Sequence, residues 1–205
     1  VILIVCALAQ ELASFEAPAH IDVVPVGVGP VEAALGAARA LATKRYALAI
    51  NVGIGGGFRG RAAVGDAVAV AHDHFADLGR EDAGALALPD GYELVGTAAS
   101  DERLMALYRS GALGAHVGAG ITSATITTSD ARADLLAARF APHVESMEGF
   151  AVLRAAELAG VPALELRGIS NLVGDRERGD WDFRAGTSAA VRALDALLGV
   201  VQVSV

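Results

Sequence analysis

Val1-Ile2-Leu3-Ile4-Val5 decides the fold class: it is an unbroken apolar run, mostly β-branched, with no polar alternation. Such a run marks a strand buried on both faces, the condition of a strand in a parallel sheet covered by helices on both sides. Ile21-Asp22-Val23-Val24-Pro25-Val26 reads as its neighbour. Ala47-Leu48-Ala49-Ile50-Asn51-Val52 is a further buried strand, and it ends in Gly53-Ile54-Gly55-Gly56-Gly57. Residues 66–72 and 163–169 add strands, and 115–128 holds one or two. Helical spacing covers 31–43, with Pro30 suited to the helix start. Ser100 is read as the cap of a helix running to Arg109, and Ser129-Asp130 opens one to Phe140. Further helices follow over 149–159 and from about 185 to 198, while 77–92 and 174–184 read as loops. Strands and helices alternate with no break in composition. The chain is therefore read as one α/β domain over 1–205, with a central mixed, mostly parallel β-sheet flanked by helices.

Composition narrows the partners. Hydrophobic residues make up 54% of the 205 residues, enough for a large core. The formal net charge of -8 argues against nucleic acid or an anionic membrane, which both need a basic patch. No apolar run reaches the roughly 20 residues that span a bilayer. Cys6 is the only cysteine, so no internal disulfide forms, which fits a reducing cytoplasm. The first strand lacks the basic flank and length of a signal peptide. The chain opens on Val rather than Met, which leaves room for a short preceding piece.

Three segments place polar groups just past apolar strands, the edge where open α/β sheets bind ligands. They are Ala7-Leu8-Ala9-Gln10-Glu11, Val144-Glu145-Ser146-Met147-Glu148-Gly149-Phe150 and Arg167-Gly168-Ile169-Ser170-Asn171. Glu11 sits among Ala, Leu and Gln. A carboxylate with few charged neighbours can act as a base near neutrality; an ordinary acid at a helix start is the bland alternative. Glu148 lies at a strand-to-helix junction, where a carboxylate can accept two hydrogen bonds from a vicinal diol, or simply complement the helix dipole.

Gly27-Val28-Gly29 and the run through Gly55 and Gly56 let a backbone approach a ligand, or serve as tight turns. Glu32 stands where a dinucleotide loop would need its third glycine, and no Gly-Lys-Ser/Thr phosphate loop occurs. His72-Asp73-His74 is too poor in ligands for a metal site; two half-exposed histidines on a strand explain it better. Asp175-Arg176-Glu177-Arg178-Gly179-Asp180-Trp181 is either a self-paired solvated loop or a lid. As a lid it would bring Arg to an anionic substrate and Trp to exclude water. No Gly-x-Ser-x-Gly elbow is present, and Cys6 lies within a strand, so nucleophilic hydrolase chemistry is not expected.

Six segments in order resemble the purine nucleoside phosphorylase/nucleosidase superfamily: 7–11, Gly27-Val28-Gly29, 51–57, Gly65-Asp66, 144–149 and 167–171. Within it the chain looks most like the futalosine hydrolases, with the methylthioadenosine/S-adenosylhomocysteine nucleosidases as close relatives. The resemblance implies that Glu11 activates water and that Met147 and Glu148 pack beneath and bind the ribose. It also implies that Gly55 and Gly56 line the site and that Ser170 precedes the residue facing purine N7. That residue is Asn171, where the methylthioadenosine enzymes carry aspartate. An amide can donate to O6 of a 6-oxopurine while its carbonyl accepts from protonated N7, whereas an ionised Asp would repel O6. Arg176 or Arg178 could meet the benzoate at the 5′ side of futalosine, with Trp181 in the same loop. The stretch matching the base-stacking segment is Thr128-Ser129-Asp130-Ala131-Arg132, without its Phe; Phe150 and Trp181 are the candidates to stack.

Related phosphorylases place arginines near the first strand and before the glycine run, and this chain has none there, so water is the expected nucleophile. The implied activity is N-ribosyl hydrolysis of futalosine in menaquinone biosynthesis. It needs no metal or organic cofactor, acts on a small nucleoside, and resides in a homodimer or larger homo-oligomer. The alternatives are a methylthioadenosine/S-adenosylhomocysteine nucleosidase and a non-catalytic purine-nucleoside sensor.

Overall fold

The computed structural model describes residues 1–80, 86–111, 116–174 and 181–203. β1 (Ile2–Cys6) lies between β2 (Ile21–Pro25) and β3 (Leu48–Gly57), parallel to both. Every β1 residue is buried, as its unbroken apolar run requires. β3 pairs in parallel with β8 (Ala163–Leu172) and, over a short antiparallel stretch, with β7 (Val144–Ser146). β8 runs antiparallel to β4 (Ala67–Phe75); β4 is parallel to β6 (His116–Thr122), and β6 to β7. These pairings close a ring of five strands, β3-β7-β6-β4-β8. β1 and β2 extend it on one side and β5 (Thr97–Ala99) on the other. The expected mixed, mostly parallel sheet is present, but it curls into a ring where an open sheet was expected.

Side chains of β1 alternate between two cores. Ile2, Ile4 and Cys6 pack with α2 (Glu102–Gly111) and α5 (Phe183–Val203), through Tyr108, Leu194 and Leu197. Leu3 and Val5 pack with the small residues of α1 (Pro30–Leu41) and with Val152 of α4 (Gly149–Leu158). α3 (Asp130–Phe140) covers Ile121 of β6 through Leu136. Val68, Val70, Val144 and Ile169 meet from three strands of the ring, on its inner face.

Four local expectations change. The glycines at 53–57 do not turn the chain; β3 runs straight through them. Gly53 is required by a close approach, since a Cβ there would stand 2.6 Å from Arg167 Nη1 and 2.8 Å from Glu11 Oε1. β8 likewise continues to Leu172, so Asn171 lies within a strand and not after it. Asp101, not Ser100, caps α2: its Oδ1 accepts from the N–H groups of Arg103 and Leu104. The Ser100 hydroxyl instead donates to Val70 O and accepts from Glu165 N, stitching β4 to β8. β5, three residues long, is too short to leave a periodic signal.

Leu194 is fully buried where α5 meets the sheet. Leu194→Ala should lower the unfolding free energy by about 3 kcal/mol, read as a shifted midpoint in urea denaturation; a change below about 1 kcal/mol would contradict the packing described.

Candidate active site

The carboxyl end of β1, the β7–α4 junction and the end of β8 converge on a cavity of about 470 Å³. Its lining includes Glu11, Gly55, Gly56, Met147, Glu148, Ser170, Asn171 and Trp181. Eight sequence-predicted site residues therefore meet in one place. The other two, Arg176 and Arg178, lie outside the described residues. Leu8, Val28, Ile54, Ile126 and Phe183 supply apolar wall, and among the described residues no Lys or Arg lines the cavity. An apolar cleft with a few converging polar groups suits a small organic ligand.

Glu11 sits in a single 3-10 turn, residues Ala9–Leu12, directly after β1. Its Oε2 accepts from Leu8 N at 3.0 Å and its Oε1 from Ile54 N at 2.9 Å, so the carboxylate is clamped by the backbone of its own turn and that of β3. Its surroundings differ from the expected lack of charged neighbours. Arg167 stands opposite Gly53 in the β3–β8 register, and that glycine leaves room for guanidinium and carboxylate to approach.

Glu148 occupies the N-cap position of α4, but its carboxylate does not cap the helix. It turns to the cavity, where Oε1 accepts from Gly29 N at 3.1 Å and Oε2 from Arg167 Nη1 at 3.4 Å. The Gly27–Gly29 turn thus holds the acid in place. Gly29 has a φ of 90°, a conformation open to glycine, and this presents its N–H inward. Each Glu148 oxygen retains acceptor capacity for a ligand hydroxyl.

Asn171 is oriented by a relay. Trp181 Nε1 donates to Ser170 Oγ at 2.7 Å, the Ser170 hydroxyl donates to Asn171 Oδ1 at 3.0 Å, and Asn171 Nδ2 donates to Leu172 O at 3.1 Å. The Ser170 hydroxyl also lies 3.3 Å from Gly55 O, and each end of the Asn171 amide keeps one further hydrogen-bonding site, an N–H and a carbonyl lone pair. Phe150 stacks on Phe75 at 5.5 Å and does not line the cavity, which leaves Trp181 of the two aromatic candidates. Ile126, ahead of the 128–132 stretch, is the residue of that loop that reaches the cavity.

Beneath the cavity lies a charge cluster that sequence reading left unassigned. Arg167 is wholly buried and donates through Nε to Glu165 Oε1 at 2.9 Å, besides its contact with Glu148. Burial alone would lower its pKa, but Glu165 and Glu148 raise it above the usual value and keep it charged. Asp73 sits next to Glu165 at the start of α4, where a Cβ on Gly149 would collide with both carboxyls. Asp73 Oδ2 and Glu165 Oε2 are both buried without a hydrogen-bond partner, and two adjacent buried carboxyls favour the protonated form. Burial pushes Asp73 well above the usual carboxylate range and Glu165 adds to it; burial also raises Glu165, against the pull of Arg167. The sequence signal was Leu164-Glu165-Leu166-Arg167: two charges spaced by two in an apolar strand share one buried face. In His72-Asp73-His74, His72 is exposed while Asp73 turns inward. The Cys6 thiol is pushed up to about 12 by burial, with Glu11 adding to the shift, and so is not a nucleophile.

A model of the phosphorylase superfamily matches residues 19–202. The chain is 39% identical over 189 residues to a futalosine hydrolase of Streptomyces coelicolor, covering 88% of this chain and 80% of that one. Among solved structures, the native futalosine hydrolase of Helicobacter pylori superposes with a TM-score of 0.84 at 18% identity, over 97% of each chain. The Streptococcus pneumoniae MTA/SAH nucleosidase in complex with 8-aminoadenine superposes with a TM-score of 0.83 at 20% identity, over 97% of this chain and 99% of that one. The last two likenesses concern the fold alone.

Because Asp73 binds its proton more tightly folded than unfolded, the stability tied to that proton is complete below about 3.8 and is lost as pH rises through the raised native value. Asp73→Asn should therefore gain on the wild type with rising pH, by up to about 1.4 kcal/mol per unit. Urea unfolding of both proteins from about pH 5 to about pH 9 checks this; a constant difference would rule it out.

Proposed function

The chain belongs to the phosphorylase superfamily and, within it, to the futalosine hydrolases, and we propose that it hydrolyses the N-ribosyl bond of futalosine and releases hypoxanthine. The observation that carries this reading is the meeting of Glu11, Glu148 and Asn171 around one largely apolar cavity. Residues 1–205 act as a single nucleosidase domain, and release of hypoxanthine serves menaquinone biosynthesis.

Cleavage leaves positive charge on the ribose ring and negative charge on the departing purine. Glu11, clamped by Leu8 N and Ile54 N, takes the proton of a water directed at the anomeric carbon. Glu148 binds the ribose hydroxyls with its spare acceptor capacity and places negative charge near the oxocarbenium. Asn171 donates its remaining amide N–H to N7 of the leaving base. Groups already aimed at developing charge in an apolar site are each worth about 2–4 kcal/mol of barrier. Water is favoured over phosphate because, among the described residues, the lining lacks the cations that a phosphate dianion needs. Arg176 or Arg178, outside the described residues, would meet the 5′ benzoate.

The enzyme is proposed to work in the cytoplasm, as the lone reduced Cys6 suits. Among the described residues no helix is long and apolar enough to cross a membrane. A homodimer or larger homo-oligomer is also proposed. Leu8 and Val28 at the cavity, and Val31 and Leu35 one turn apart on α1, expose apolar surface that a second copy would cover.

Purified protein incubated with futalosine, inosine and methylthioadenosine, each with and without phosphate, should release hypoxanthine from futalosine independently of phosphate. Adenine release from methylthioadenosine instead would overturn the assignment. Glu11→Gln should lower kcat about 10²–10⁴-fold with little change in KM, whereas a non-catalytic sensor would show no turnover to lose. Asn171→Asp should shift preference toward adenine nucleosides; an unchanged base preference in the same chromatographic assay counts against its role at the base.

A further inference from the structure

Glu145 lines the cavity, yet none of the catalytic steps uses it. It is buried on β7, and both of its oxygens are held by one residue: Thr127 N donates to Oε2 at 3.1 Å, and the Thr127 hydroxyl donates to Oε1. Arg132 steadies that threonine, its Nε donating to Thr127 Oγ1 at 3.3 Å while its Nη2 pairs with Asp77. Each carboxylate oxygen thus accepts one hydrogen bond and can accept another.

The strand register says where this spare capacity lies. Gly56 of β3 is opposite Glu145 on one side and opposite Asn171 on the other. Paired residues on neighbouring strands project to the same face, so Glu145 and Asn171 flank a residue with no side chain, two strand spacings or roughly 10 Å apart. A Cβ at Gly56 would stand 3.1 Å from Asn171 Nδ2, so the open floor between the two polar groups exists only because position 56 is glycine. Flat, with an N–H donor at one end and a carboxylate acceptor at the other, the floor suits a planar base lying over Gly56.

We propose that Glu145 determines specificity for 6-oxopurines by accepting a hydrogen bond from the N1–H of the base. This rests on the hydrolase reading, in which Asn171 meets the N7 side of the same ring. A 6-oxopurine carries a hydrogen on N1, and a carboxylate accepts it. A 6-aminopurine carries a bare lone pair there, which an ionised carboxylate repels. The bond is charge-assisted and shielded from water, so its loss falls directly on discrimination.

The test is binding of hypoxanthine, 1-methylhypoxanthine and adenine by calorimetry, to wild type and to Glu145→Gln. Wild type should bind hypoxanthine about 30-fold more tightly than either other base. In Glu145→Gln the amide keeps its carbonyl on Thr127 N and carries no charge to repel a bare N1, so the preference over adenine should fall to within about threefold. The melting temperature should stay near that of the wild type; a purely structural role for Glu145 would move it and leave the preference intact. Retention of the wild-type preference in the variant overturns the proposal. So does a wild type that does not prefer hypoxanthine over 1-methylhypoxanthine, an arm that needs no variant. Wild type that cleaves futalosine but gives either result refutes the role of Glu145 alone, whereas protein that neither binds hypoxanthine nor cleaves futalosine removes the functional reading as well.

Discussion

The structure turns on one buried cation. Arg167 of β8 is fully buried and is held between Glu165 and Glu148. Taking a guanidinium out of water is costly, and only closely placed carboxylates offset that cost. Removing one partner from such a pair typically costs about 3–5 kcal/mol, because the other charge is left buried alone. The cluster therefore constrains much of what surrounds it. Glycine at 53 admits the guanidinium, glycine at 149 leaves room for Glu165 and Asp73, and burial favours the protonated form of those two acids.

That constraint reaches the cavity through Glu148. Its carboxylate is tied from below by Arg167 and from the side by Gly29 N, so it faces the ligand with its direction already set. Glu11 is tied in the same manner by two backbone N–H groups, one from its own turn and one from β3. Asn171 is aimed by Ser170 and Trp181. Each polar group at the cavity is held by contacts on the side away from the ligand. Such preorganisation lets a few groups carry a reaction, because little reorganises as charge develops. The apolar wall between them lowers the local dielectric and strengthens each contact.

Much of this was legible in the chain. Unbroken apolar runs marked β1, β3 and β8 as buried on both sides, and polar residues just after or at the ends of those runs pointed to one ligand-binding edge. Eight of the expected site residues line one cavity for that reason. The misreadings have local causes. Glycines 53–57 left a close approach and a tight turn both open, because glycine serves either; the strand runs through them, and they clear space for side chains from other strands. Ser100 and Asp101 both suit a cap, and only the need of Val70 O and Glu165 N for a partner assigns Ser100 elsewhere.

The sequence by itself determined the class of fold, the strand edge where ligands bind and the acids that reach it, because hydrophobic periodicity and strand ends are local properties. Tertiary structure alone decided that the sheet closes into a ring, that Asp73 and Glu148 meet the Glu165–Arg167 pair beneath the cavity, and that Glu145 and Asn171 flank Gly56. These are pairings between residues distant in the chain, set by strand register and by the need of every buried charge for a partner. No window of sequence contains both members of such a pair.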